Sequence, residues 1–101
     1  MIHVIATIRT AAGRQDDFLT AFGELVPDVR AEAGCIEYGP AIDLATAVSS
    51  QPAREDVVTV IEKWESVEAL MNHLKAPHML RYRDRVKDIV AGIEIQVLEP
   101  A

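Results

Sequence analysis

The chain contains a single cysteine, Cys35, among its 101 residues, so it cannot form a disulfide within itself. One thiol and three scattered histidines, His3, His73 and His78, also fall short of a closed structural zinc site, and no metal is expected. Such cysteine usage suits a reducing compartment, the cytoplasm. No run of about 18 apolar residues occurs, which leaves no membrane span to expect. The opening Met1-Ile2-His3-Val4-Ile5 has neither the basic segment nor the small-residue cleavage site of a secretory leader, so export is not expected either. Positive charge is scarce: 10 Lys and Arg stand against 16 Asp and Glu, a net −6. That balance repels phosphate backbones and anionic lipid, so neither nucleic acid nor membrane is an expected partner. GxGxxG, P-loop and HExxH patterns are all missing, which is compatible with chemistry that needs no cofactor.

What is present is the material of one hydrophobic core. Half the residues are apolar and 26% are charged, a globular balance, and residues 1–101 are expected to form a single domain. Residues 2–9 are short, β-branched and closed by Ala11-Ala12-Gly13, which predicts a strand and a turn. From Arg14 the spacing becomes helical, with Phe18, Phe22, Leu25 and Val29 on one face, and Gly34 ends it. Pro27 falls inside that helix, but residue 23, whose carbonyl it would press on, is Gly, so a kink is expected and not a break. Residues 35–42 and 56–64 read as further strands. The segment 44–55 between them is long for a hairpin loop and expected to be functional or mobile. Ser66 is a good N-cap for a helix whose apolar face is Val67, Leu70, Met71 and Leu74. Pro77 suits the first turn of a third helix, with Met79, Tyr82, Val86 and Ile89 as its stripe up to Gly92. Ile93, Ile95 and Val97 then alternate with Glu94, Gln96 and Leu98 as a fourth strand.

This order predicts an α+β fold of ferredoxin-like βαββαβ type with a four-stranded antiparallel sheet. The helices can cover only one sheet face. Strand one presents Ile2, Val4, Ala6 and Ile8 one way and His3 and Ile5 the other, while strand three presents Val58, Val60 and Trp64 opposite Val57 and Ile61. With apolar residues on both faces, a homodimer through the uncovered face is expected.

Glu32-Ala33-Gly34-Cys35 followed by Tyr38, Ile61-Glu62-Lys63-Trp64-Glu65, Glu68-Ala69-Leu70, His73-Leu74 and Pro77-His78 together resemble the antibiotic biosynthesis monooxygenase (ABM) family of dimeric α+β barrels. The likeness spans nearly the whole chain, Gly13 and the closing strand included. It implies a homodimer whose two sheets form a barrel, with a pocket in each subunit between sheet and helices. The implied activity is cofactor-independent oxidation of a small quinol or phenol by molecular oxygen. Two departures stand out. Where haem-degrading relatives carry an asparagine and a haem-ligating histidine, this chain has Ile8 and Arg83, and where the polycyclic-phenol oxidisers carry an asparagine it has Val60. Haem is therefore not expected.

Each candidate residue also has an ordinary structural reading. Trp64 is a large core side chain by composition, and a flat wall for an aromatic substrate by resemblance. His73 lies about 110° from the middle of its helical stripe, which predicts a half-exposed histidine flanking the core. His78, in the first turn of its helix beside the positive end of the helix dipole, should stay neutral, and is the first candidate for the general base at a pocket rim, with His73 assisting. Its plainer reading is a solvated helix start. Arg81, Arg83, Arg85 and Lys87 form a basic run interleaved with Asp84 and Asp88, a solvated face from which Arg83 could steady a phenolate or peroxide anion. Tyr38 is expected to be partly buried with its hydroxyl hydrogen-bonded, and less readily a proton donor. An isomerase or lyase working by proton transfer in the same pocket, and a non-catalytic binding protein, are the competing expectations.

Overall fold

Strand β1, Ile2–Thr10, is the axis of the structure, a computed structural model that describes residues 1–101. After it come helix α1 (Gln15–Arg30), strands β2 (Cys35–Ala41) and β3 (Val57–Trp64), helices α2 (Val67–Leu74) and α3 (Pro77–Val86), and strand β4 (Val90–Leu98). The strands form one antiparallel sheet in the order β2-β3-β1-β4, the α+β arrangement expected from the element order. No helix is long and apolar enough to cross a membrane.

β1 shows why alternation decides the core. Ile2, Val4, Ala6 and Ile8 are buried, while His3, Ile5 and Thr7 on the other face are only partly so. In β3, Val58, Val60 and Trp64 continue the buried row, and Trp64 is completely enclosed. α1 supplies Phe18, Phe22 and Val29 to the same layer and runs through Pro27 without a break. Gly23 leaves open space where a side chain would stand. On the opposite sheet face no element of the chain provides cover: Ile61 is 41% exposed beside Ile5, its cross-strand partner.

The last two helices follow their punctuation. The Ser66 hydroxyl accepts the Ala69 N–H at 3.1 Å, and Pro77 opens α3 where its missing N–H costs nothing. Two expectations fail here. α3 ends at Val86 and β4 begins at Val90, earlier than the helix to Gly92 and strand from Ile93 read from the apolar stripe. Met79, Val86 and Ile89 are buried as a helical stripe would have them, but a turn at 87–89 carries the last of these, and pairing with β1 extends the strand back to Val90. In α2 the buried side chains are Leu70 and His73, whereas Val67 and Met71 are 55% and 47% exposed. The inward face is thus rotated from the apolar stripe, because Trp64 of β3 and Glu32 in the turn after α1 both meet α2 at His73.

The tightest approach is at Gly34, whose φ of +85° is left-handed and whose position would put a Cβ 2.5 Å from the Ala69 Cβ. Gly34→Ala is therefore expected to destabilise by about 1–3 kcal/mol, read as a lower urea midpoint at unchanged m-value. Equal stability would show that α2 can shift away at no cost.

The 44–55 segment is closed at its base by an Arg54–Asp43 pair, with Nε to Oδ2 at 2.8 Å and a guanidinium nitrogen to Oδ1 at 3.1 Å. Thr46 and Ser49 fold its tip, their hydroxyls 2.9 Å apart. It surrounds only a shallow surface depression of its own and takes no part in lining the apolar cavity described next.

Candidate active site

α1 packs on β2 and β3, α2 on β3 and α3 on α1, so the helix-side row of β4 is left bare. Ile93 and Ile95 pair with Ile8 and Ala6 on the core-facing side yet are 55% and 53% exposed. The gap between α3 and this half of the sheet is a cavity of about 360 Å³, with 12 hydrophobic residues among the 16 that line it. That is room for a small aromatic molecule against largely apolar walls. Its polar wall consists of Tyr38, Glu62, His73, Tyr82, and at the edge Arg83 and Lys87.

His73 is 2% exposed, against the half-exposed flanking position expected from the stripe. Three contacts explain how a histidine is accommodated there. Its ring lies 4.6 Å from the Trp64 ring and 5.4 Å from the Tyr38 ring, and its Nδ1 is 2.8 Å from Glu32 Oε2. Glu32 stands in the turn that follows α1 and receives a second histidine: His78 Nε2 lies 2.7 Å from the same oxygen. A carboxylate accepts and does not donate, so both rings give their protons to it. This sets the His73 tautomer with its lone pair on Nε2, an atom with no protein partner. No sealed side-chain nitrogen or oxygen lacks a partner, so this Nε2 opens onto the cavity that His73 lines.

His78 does not line the cavity. It was expected at the rim, ahead of His73, because helix position says nothing about which side of Glu32 the ring occupies. The order from cavity outwards is His73, Glu32, His78. Their three ligating atoms lie within 4.8 Å of one another, a donor set of a kind transition metals accept, but a cation there would have to displace the protons both rings give to Glu32.

Trp64 also stays behind the cavity wall, and its role is contact with wall residues: the His73 ring and, through Nε1, Glu62 Oε1 at 2.9 Å. Tyr38 is 3% exposed, more buried than expected, and its hydroxyl has no protein partner and borders the cavity. Arg83 is at the cavity edge and pairs with no carboxylate, unlike its neighbours Arg85, which meets Glu24, and Lys87, which meets Asp84 at 3.2 Å. His3 is on β1, with its side chain on the opposite sheet face.

Two residues of the site, Glu32 and Glu62, were not singled out from the sequence as functional. Glu62 had a signal: it alternates with Val58, Val60 and Trp64, an acid at an inward position of an apolar strand. Glu32 opened one of the family-like segments, but nothing local marked its role, since its partners are 41 and 46 residues away. Burial pushes the Glu62 carboxyl up to about 7, against the pull of the Trp64 N–H and with the Glu32 charge adding to the rise. Burial likewise pushes the His73 imidazole below its ordinary value, opposed by the bond to Glu32. An acid made weaker and a base kept neutral beside one apolar cavity are the makings of proton transfer.

Fold and site together define a small α+β protein with a carboxylate-oriented histidine facing an apolar pocket. The chain matches the antibiotic biosynthesis monooxygenase family over residues 1–85 and belongs to it. It is 41% identical to the protein named "Probable quinol monooxygenase YgiN" of Escherichia coli K12, over 99% of this chain and 98% of that one. Among solved structures, PA3566 of Pseudomonas aeruginosa shares 27% identity and a TM-score of 0.82, covering 99% of this chain and 93% of the other. Rv0793 of Mycobacterium tuberculosis shares the fold at 24% identity and a TM-score of 0.78, with 99% and 94% covered.

Proposed function

We propose that this protein is a cofactor-independent monooxygenase that oxidises a small quinol or phenol with molecular oxygen, as the name of its 41% identical relative suggests. The observation that carries the reading is the His73 Nε2 lone pair, fixed by Glu32 and opening onto an apolar cavity of about 360 Å³. His73 takes the proton of a substrate hydroxyl, helped by the placement of Glu32 against its far nitrogen, and His78 holds Glu32 from outside. The anion, in a pocket with little water, gives one electron to oxygen, and the two radicals combine at a ring carbon to form a peroxide. In this reading Tyr38 and Arg83, which line the cavity, contact the substrate oxygens, and Trp64 backs the wall on which the ring lies.

The whole chain, 1–101, acts as one domain in this reading and pairs with a second copy through the open sheet face, where Ile5, Ile61 and Leu98 supply apolar surface. A cytoplasmic setting, with no nucleic acid or membrane as partner, completes it. The test is oxygen uptake by the purified protein with a panel of benzoquinols, naphthoquinols and phenols, beside light scattering for the dimer. Quinol-dependent uptake well above the uncatalysed rate is expected. Turnover that persists under strict anaerobiosis would replace the reading with an isomerase or lyase. Failure to turn over any member of the panel, with measurable binding, would replace it with a binding protein.

A further inference from the structure

Glu62 is the only acid on the cavity wall, and its place there needs a reason. It is 7% exposed, pairs with no cation, and stands in a row that Val58 and Val60 fill with ordinary apolar side chains. A buried carboxyl costs stability wherever it is not compensated, and the compensation here is one bond, Trp64 Nε1 to Oε1 at 2.9 Å. The other oxygen, Oε2, has no protein partner. Since no sealed side-chain oxygen is left unpaired, Oε2 faces the cavity. One wall thus presents two proton acceptors, His73 Nε2 and Glu62 Oε2, each held by a bond to its far atom.

Oxygenation of an aromatic hydroxyl compound has work for two such groups. The net change, an Ar(OH)(H) unit plus oxygen to a quinone plus water, removes one proton from oxygen and one from carbon. The hydroxyl proton leaves in the plane of the ring. Once oxygen has added, the reacting carbon is tetrahedral and its hydrogen points out of that plane, on the face opposite the peroxide. A single fixed imidazole cannot occupy both positions.

Resting on the monooxygenase reading above, we propose that Glu62 is a second catalytic residue, which removes the ring-carbon proton of the peroxide intermediate and returns it to the departing hydroxide. The steps balance. His73 takes the hydroxyl proton and passes it to the newly formed peroxide, giving a hydroperoxide. Glu62 then takes the carbon-bound proton, the C–H electron pair becomes the second bond of the new carbonyl, the O–O bond breaks, and hydroxide leaves. Glu62 gives that hydroxide its proton to form water, and both residues return to their starting states. The raised proton affinity that burial confers on Glu62 suits a group that must hold a proton briefly.

The test compares wild type with Glu62→Gln, which keeps the side-chain length and an oxygen for Trp64, using a quinol deuterated at the ring carbon that is oxygenated. In the variant, oxygen uptake should fall by about 100-fold or more, and the deuterated quinol should become severalfold slower than the protiated one. His73→Ala should also lose activity but gain no sensitivity to ring deuterium, because its slow step is at the hydroxyl. Glu62→Ala should recover activity on addition of formate, which a merely misfolded protein would not. Wild-type rates in Glu62→Gln, or a lowered rate with no deuterium effect and no formate rescue, would overturn the proposal. A wild-type protein that consumes no oxygen with any quinol would instead overturn the monooxygenase reading beneath it, so the two failures are distinguishable.

Discussion

Replacing His73 by alanine is expected to lower quinol-dependent oxygen uptake by about 10²–10⁴-fold, the usual worth of a positioned general base. His78→Ala should cost much less. The difference follows from geometry: His73 lines the cavity and has a free Nε2, whereas His78 touches Glu32 from the other side and borders no part of that cavity. Equal losses in the two variants would mean that His78 moves protons itself. The pH profile gives an independent reading. Burial keeps the His73 imidazole neutral to a pH below its ordinary value, so the acid-side fall of wild-type turnover should follow Glu62, whose carboxyl burial pushes up to about 7, and not His73. The same shift has a consequence for stability. The folded state disfavours protonated His73, so the contribution of this group is present above its unfolded value and is lost as pH falls towards the folded one.

Trp64→Ala is expected to destabilise the protein by about 3–5 kcal/mol, the range for emptying a buried large aromatic site. Trp64 is fully enclosed and lies against the His73 and Tyr38 rings, with centroids 4.6 and 6.5 Å away. The change also strips Glu62 of its one hydrogen-bond donor. Against a typical total of about 5–15 kcal/mol, the loss is large enough to leave part of the population unfolded at 37 °C. Urea denaturation followed by circular dichroism measures it. Trp64→Phe separates the two effects, since it keeps most of the packing and removes only the N–H. A drop of about 1–3 kcal/mol there would be the penalty for the unpaired acid. If Trp64→Ala unfolds at the wild-type urea concentration, the cavity must collapse around the missing ring.

How far the site was legible depended on the distance over which each signal acts. Capping and turn chemistry are local: the Ser66 hydroxyl finds the Ala69 N–H three residues on, and Pro77 begins its helix because its own ring sets φ. Alternation in β1 is local too, and Ile2, Val4, Ala6 and Ile8 are buried as the period of two requires. The inward face of α2 was misjudged because apolarity is a proxy for burial, and here Met71 is exposed while a histidine is enclosed. What reverses the proxy is Glu32, which removes the cost of burying an imidazole N–H and comes from 41 residues earlier in the chain. Glu62 stood in plain view within the buried row of β3, but an acid there reads as an anomaly until the cavity beside it is known.

The family likeness was likewise carried by short segments whose residues adjoin one another in sequence. What those segments do to each other depends on the third dimension. Gly34 has no side chain because α2 passes over it, with the Ala69 Cβ only 2.5 Å from where a Cβ would be. The cavity exists because the helices cover β2 and β3 and leave Ile93 and Ile95 bare. By itself, then, the amino-acid order determined the elements, their antiparallel α+β arrangement and the family, since propensity, alternation and punctuation act between near neighbours. The tertiary structure alone decided that His73 faces the cavity, that His78 stands behind Glu32, and that an acid shares the wall, because burial and hydrogen bonding between distant segments have no period to read.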